Sequence, residues 1–408
     1  MFILIENGDI HDPAPRGAGS ILVANDRIER VGNVDRRALD ALGVEYEAID
    51  AAGCVVAPGI IDPHEHLLGG SGEGSLALQT PMIFPREIVR AGVTTVVGTL
   101  GVDTTMKTIE GLLARVKAMH EEGLSAFMWT GGYNVPPTTV LGSVREDMLF
   151  IHEVVGAGEV AIADERGLNQ SAQELAKLVR DTHVGGLLSG KAGVTHFHVG
   201  EEEVRLRPLR ELIDDFQVKP EWLYPTHVQR NEKLLGEAIA LAKRGATVDF
   251  DCVEQDVARW LRFYLAHDGP PERLTVSSDA DSSTPDILFQ QLRGLVLDHR
   301  HPLELVLRLV TANPARVLEL KRKGRLAEGC DADVLVLDRD SLEIREVIAR
   351  GHRMVVDGQL VLRERYLSKS SRAIAIVGDQ APEEAVERAS REAPDAGVTD
   401  TLGGARRS

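Results

Sequence analysis

Between residues 53 and 320, short apolar or β-branched runs alternate with helical patterns, and no other feature constrains the fold as strongly. The runs fall at residues 55–57, 94–97, 126–128, 160–162, 194–198, 246–249 and 274–277. Helical patterns at 106–122, 171–181, 203–216, 231–244 and 302–309 separate them. Alternation at this spacing over roughly 250 residues fits a parallel (β/α)8 barrel of the TIM type. A doubly wound open sheet has the same rhythm and is the structural alternative. The barrel is preferred because of the residues that stand at the strand ends.

Both flanks of this region read as β-structure. Phe2-Ile3-Leu4-Ile5 leads to Asn7-Gly8, Ile21-Leu22-Val23 to Asn25-Asp26, and Ile28 to Val31-Gly32. Short apolar runs closed by such turn residues are hairpin signals. The pattern returns at Gly324-Arg325-Leu326, at residues 332–338 and 347–348, and at 353–356 before Asp357-Gly358. The two ends are therefore expected to pair into one discontinuous small β-sandwich domain (1–56 plus 321–366) around a catalytic barrel (57–320). From about residue 367 the chain is rich in Ala, Glu, Ser, Asp and Gly. It reads as a weakly structured tail over 367–408, with a helix across 382–392.

Composition removes several functions. With 408 residues, 43% hydrophobic and 27% charged, the chain is an ordinary globular protein. A formal charge of −17 argues against a general binder of nucleic acid or of anionic membranes, yet permits a local cationic pocket. No apolar run approaches the roughly 18–20 residues that span a bilayer. The first residues lack the basic region and cleavage site of a signal peptide. Cys54, Cys252 and Cys330 are scattered and form neither a disulfide framework nor a CxxC pair. The expected compartment is the reducing cytoplasm.

The strongest local signal is Ile61-Asp62-Pro63-His64-Glu65-His66, directly after an apolar run. In extended backbone residues i and i+2 face the same way, so His64 and His66 can chelate one metal. His198 closes a later run, His227 follows Tyr224-Pro225-Thr226, and Asp279 follows Ser277-Ser278. Any one of these, taken alone, reads more readily as a satisfied histidine or a capping aspartate than as a ligand. Jointly, on separate strand ends, they form a ligand set. Imidazole and carboxylate donors suit Zn²⁺, and also admit Mn²⁺, Fe²⁺ or Co²⁺.

This set, with Thr311-Ala312-Asn313-Pro314-Ala315 and Gly329-Cys330-Asp331-Ala332-Asp333, resembles the amidohydrolase superfamily. Within it, residues 1–365 are similar to the isoaspartyl (β-aspartyl) dipeptidases. The stretches that carry the likeness are residues 66–73, 92–98, 130–136, 184–188 and 226–231, the last being Thr226-His227-Val228-Gln229-Arg230-Asn231.

The resemblance implies two metals per subunit bridged by a carboxylated lysine at the end of the fourth strand. No lysine occurs between Lys117 and Lys177, and the matching position is Glu159. Glu159 can bridge two metals with its own carboxylate; otherwise it is a solvated strand-start residue beside a single metal. The resemblance further implies Glu73 for the substrate α-amine, Arg166 and Arg230 for its carboxylates, Ser283 for a hydrogen bond to the aspartyl end, and Tyr133 as electrophile. Asp279 is expected to be both metal ligand and proton carrier for a metal-held hydroxide. His196 has no counterpart in that pattern and reads as a core or supporting residue; His299 and His301 read as a solvated loop. The expected activity is hydrolysis of the β-aspartyl amide of a small acidic dipeptide by a homo-oligomer, with no nucleic-acid or membrane partner. The rivals are a cyclic-amide hydrolase of the dihydroorotase or hydantoinase kind, and a non-catalytic scaffold of the same fold.

Overall fold

The computed structural model describes residues 2–253 and 256–370. The tail from residue 371 on, with the helix expected over 382–392, lies outside the described residues.

Eight parallel strands form the barrel wall: β1 (Ile60–Glu65), β2 (Val93–Gly98), β3 (Ser125–Thr130), β4 (Val154–Ile162), β5 (Val194–Val199), β6 (Leu223–Thr226), β7 (Val248–Asp251) and β8 (Leu274–Ser277). The first six pair in chain order as one curled sheet, and β7 pairs with β8. Strand β8 returns to β1 through Asp279 N donating to His64 O (3.1 Å) and His66 N donating to Ala280 O (2.9 Å). Every residue of β1, β2, β4 and β5 is buried, which is why these strands read as nearly continuous apolar runs.

Helices pack outside the strands and their starts are encoded locally. The helix Ile109–Glu121 is capped by the Thr108 side chain, which accepts from Gly111 N; such a cap contributes about 1 kcal/mol. It buries Ile109, Leu112, Val116 and Met119, spaced as one helical face. Ser171 and Glu174 form a capping box at the head of Ala172–Ser189. The expected helix over 203–216 is shorter, Arg207–Asp214, because Pro208 in its first turn fixes where it begins. Helices Val144–Phe150, Val257–Ala266 and Asp286–Leu297 were not anticipated. The second carries Val, Trp, Phe and Tyr, whose local preference is as much strand as helix.

Both chain ends join one nine-stranded sheet. Its order runs Gln359–Leu360, His352–Val356, Ile344–Ala349, Val334–Asp338, Cys54–Pro58, Phe2–Asp12, Ala14–Ala24, Arg27–Gly32, with Tyr46–Asp50 also on Phe2–Asp12. The run at 55–57, read as the opening of the barrel, thus lies in this sheet. Cys54–Pro58 belongs to this sheet, and the barrel begins two residues later. Gly59 makes the crossing possible, since a Cβ there would lie 2.2 Å from Thr94 Oγ1. Sheet and barrel form one compact unit up to Glu364, and a separate unit starts at Arg365. Among the described residues no helix is long and apolar enough to cross a membrane.

Candidate active site

Ligand-type side chains from the strand ends converge on a cavity of about 470 Å³ at one mouth of the barrel. Strand alternation turns Asp62, His64 and His66 inward from β1, and His196 and His198 from β5. His227 directly follows β6 at φ 60°, and Asp279 lies just beyond β8 at φ 49°. Left-handed backbone at non-glycine residues costs on the order of 1–3 kcal/mol and concentrates at functional sites.

Glu159, buried on β4, sits at the centre. Its Oε2 faces His64 Nε2 at 3.4 Å and His66 Nε2 at 3.9 Å. Its Oε1 faces His198 Nδ1 at 2.5 Å and His227 Nε2 at 3.4 Å. Asp279 Oδ1 lies 3.1 Å from His64 Nε2 and 3.3 Å from His66 Nε2. One carboxylate therefore has an oxygen towards each pair of imidazoles. Such a cluster of imidazoles and carboxylates could hold metal ions.

The residues fit such ions. Both His64 Nε2 and Glu159 Oε2 are buried without a hydrogen-bond partner, which is costly unless something else engages them. Three ligand groups have donor atoms mutually within 4.8 Å: His64/His66/Asp279, His64/Glu159/His227 and His227/Asp251/Asp279. His198 joins through Glu159 rather than through one of these groups. Burial works against charge on the two imidazoles, yet Glu159 and Asp279 push His64 up to about 9, and Asp279 and Asp251 push His227 up to about 10. Burial likewise opposes ionisation of Glu159, but His64 and His198 hold its carboxyl well below the usual range. In the metal-free protein at pH 7 protons therefore occupy His64 and His227, where a cation would sit.

A prediction follows, because metals bind neutral imidazole. Adding Zn²⁺ to metal-free protein near pH 7 is expected to release protons, and affinity to rise with pH up to about 9–10. Titration in weak buffer with a pH indicator measures this. Uptake with no proton release would contradict the assigned ligands.

The other expected residues divide. Tyr133 Oη lies 2.9 Å from His198 Nδ1. Burial, reinforced by Glu159, pushes this phenol well above its usual range, so it keeps its proton as a donor. Glu73 and Arg166, expected at opposite ends of a substrate, meet each other at 2.8 Å. Arg166 also grips both oxygens of Asp164 at 2.9 Å. Arg230 lines the cavity with its Nε donating to Val199 O at 2.8 Å. Ser283 is not among the cavity-lining residues; Asp281 and Ser282 stand there instead. His299 is exposed and His301 half-buried in the segment after helix Asp286–Leu297.

Sequence reasoning passed over Asp164 and Asp251. Asp164 Oδ2 is 2.9 Å from His198 Nε2, and Asp251 Oδ2 is 2.8 Å from His227 Nδ1. Each carboxylate orients an imidazole from behind and fixes its tautomer. Gln229 Nε2 donates to the same Asp251 oxygen at 2.8 Å. A signal existed for Asp251: with Asp249 it repeats on β7 the i, i+2 spacing of the histidines.

A barrel with imidazoles and carboxylates gathered at its strand ends defines the amidohydrolase class of enzyme. Comparison with known proteins agrees: residues 261–362 match the profile described as "Amidohydrolase family". The β-aspartyl dipeptidase of Fervidobacterium islandicum AW-1 is 36% identical, superposes with a TM-score of 0.84, and covers 88% of this chain and 98% of its own. A second structure of that protein, in complex with the β-Asp-Leu dipeptide, gives 35% and 0.83, with 88% and 97% covered. The adenine deaminase of Edwardsiella ictaluri is 26% identical over 85% of this chain. The chain spans only 52–58% of the length of that and two further adenine deaminases. This chain belongs to the β-aspartyl dipeptidase family of the amidohydrolase superfamily.

Proposed function

We propose that the chain hydrolyses the isopeptide (β-aspartyl) amide bond of small dipeptides, using two divalent cations, zinc in the first instance. His64, His66, Glu159, His198, His227 and Asp279 would hold them. The observation that carries the reading is one cavity lined by Arg230, Arg166 and Glu73 beside that ligand cluster. A β-linked dipeptide has two carboxylates and a free α-ammonium, and this lining has two guanidinium groups and an acid to receive them. On the same reading the nine-stranded sheet is the small β-sandwich domain formed from both chain ends.

Cations bound there supply Lewis acidity and lower the pKa of a coordinated water towards about 7, so a nucleophile is available at neutral pH. The chain's residues do the rest. Arg230, tethered by Val199 O, pairs with the aspartyl α-carboxylate and sets the amide in place. Glu73 exchanges its ion pair with Arg166 for one with the substrate ammonium, which frees guanidinium donors for the second carboxylate. The Tyr133 hydroxyl donates to the carbonyl oxygen as negative charge develops on it. Asp279 accepts the proton of the attacking water at its carboxylate and delivers it to the leaving nitrogen.

The test is hydrolysis of matched α- and β-linked Asp-Leu by metal-replete protein. Cleavage of the β-isomer alone is expected. Arg230→Met should remove a charge-assisted contact of about 1.5–3 kcal/mol, lowering kcat/KM for β-Asp-Leu roughly 10- to 150-fold. Unchanged β-Asp-Leu turnover in that variant would show the assignment of substrate to be wrong. Dihydroorotate and adenine belong in the same panel, because relatives at 23% and 26% identity carry the names dihydroorotase and adenine deaminase. Neither molecule has an ammonium for Glu73.

A further inference from the structure

His196 is the one imidazole on the inner face of β5 that the proposed chemistry leaves unused. It is fully buried one layer below the cavity. Its ring stacks on Trp129, with centroids 4.8 Å apart and planes 15° from parallel. Its Nδ1 is 2.9 Å from Tyr224 O, and its Nε2 is 2.7 Å from His64 Nδ1. Gly158, beside Glu159, makes room for it: a Cβ there would fall 2.7 Å from the Cβ of His196.

The proton positions along this chain follow from its end. A carbonyl oxygen can only accept, so His196 Nδ1 carries the hydrogen that Tyr224 O receives. In the neutral ring Nε2 is then an acceptor, and His64 Nδ1 must donate to it. When His64 is neutral, as a metal ligand must be, this leaves the lone pair of its Nε2 directed at the space between Glu159 Oε2 and Asp279 Oδ1, which lie 3.4 Å and 3.1 Å away. One backbone carbonyl thus determines the tautomer of two imidazoles in series. The contrast with the other ligands is plain: His198 and His227 are backed by the carboxylates of Asp164 and Asp251.

We propose that His196 is a positioning residue, which holds His64 in the tautomer and ring orientation that bind a cation and thereby sets the affinity of the His64/His66/Asp279 seat. The proposal rests on the metal-site reading above but not on the substrate assigned there. Outer partners of metal-bound histidines typically govern affinity by about 10- to 100-fold.

The test compares His196→Gln with His196→Met, two side chains of equal length that both forgo the stacking ring. Glutamine offers His64 Nδ1 a strong carbonyl acceptor, whereas methionine offers only a weak thioether sulfur. Zinc stoichiometry and affinity are read by competition with a chelator of known strength, on the full chain, without substrate. The expected result is about 10- to 100-fold weaker binding of one of two cations in His196→Met, with His196→Gln restored to within a few-fold of the parent. Equal affinities in all three proteins would overturn the proposal. So would equal weakening in both variants, which would make ring packing the cause. If His196→Met does not fold, His196→Phe, which keeps a flat ring on Trp129 and has no acceptor, takes its place in the comparison. A parent protein that binds no divalent cation would overturn the site reading and this proposal together, whereas failure to cleave β-Asp-Leu would leave the affinities to decide.

Discussion

Glu159→Ala is expected to retain at most one divalent cation per chain and to lose measurable turnover. Glu159 presents one oxygen to His64 and His66 and the other to His198 and His227. Two dications about 4 Å apart repel by roughly 16 kcal/mol at an effective dielectric constant of about 20, so removing the anion between them should expel one. Glu159→Gln should fail as well, since an amide offers one good oxygen ligand where the carboxylate offers two. Activity should be indifferent to added bicarbonate. No lysine is among the residues lining the cavity, so there is no carbamate to form. Metal analysis and turnover with and without bicarbonate check these points. Two cations per chain and a normal rate in Glu159→Ala would make Glu159 a bystander.

Asp279→Asn is expected to keep its cations and lose about 10²- to 10⁴-fold in kcat, the usual contribution of a positioned acid–base group. The geometry separates the two roles. Asp279 Oδ1 lies against His64 and His66, and the asparagine carbonyl preserves an oxygen there. What asparagine cannot do is take up a proton. His64 and His227 hold the Asp279 carboxyl well below its usual range, against the opposing effect of burial, so in the parent it is ionised and able to accept. Parallel measurement of metal content and kcat distinguishes a lost proton carrier from a lost ligand. A variant with both cations and full turnover would remove Asp279 from the chemistry.

Strands such as Val93–Gly98 and Val194–Val199 were legible because they are buried on both faces and therefore read as apolar runs, whereas the short Leu223–Thr226 was not among those runs. Helices with periodic faces and capping residues were legible for the same local reason, as in Ile109–Glu121. Short helices rich in aromatic and β-branched residues, such as Val257–Ala266, were not, because their propensity is ambiguous until tertiary contacts resolve it. The first barrel strand was misplaced: the run at 55–57 belongs to the sheet strand Cys54–Pro58 and the barrel strand is Ile60–Glu65, since an apolar run does not reveal which of two sheets it joins.

What the sequence determined by itself was an inventory: which residues can bind metal, that they stand at strand ends, and that no lysine can bridge at the fourth strand. These follow from residue type and from the period-two geometry of extended chain, which are properties of the local backbone. Only the tertiary structure decided who meets whom. It set one oxygen of Glu159 towards each histidine pair, joined Glu73 to Arg166, and put Asp281 and Ser282 on the cavity instead of Ser283. It also placed Asp164, Asp251 and His196 behind His198, His227 and His64. Hydrogen bonds of 2.7–2.9 Å between residues 24 to 132 positions apart depend on closure of the barrel, and no local pattern in the chain records that distance.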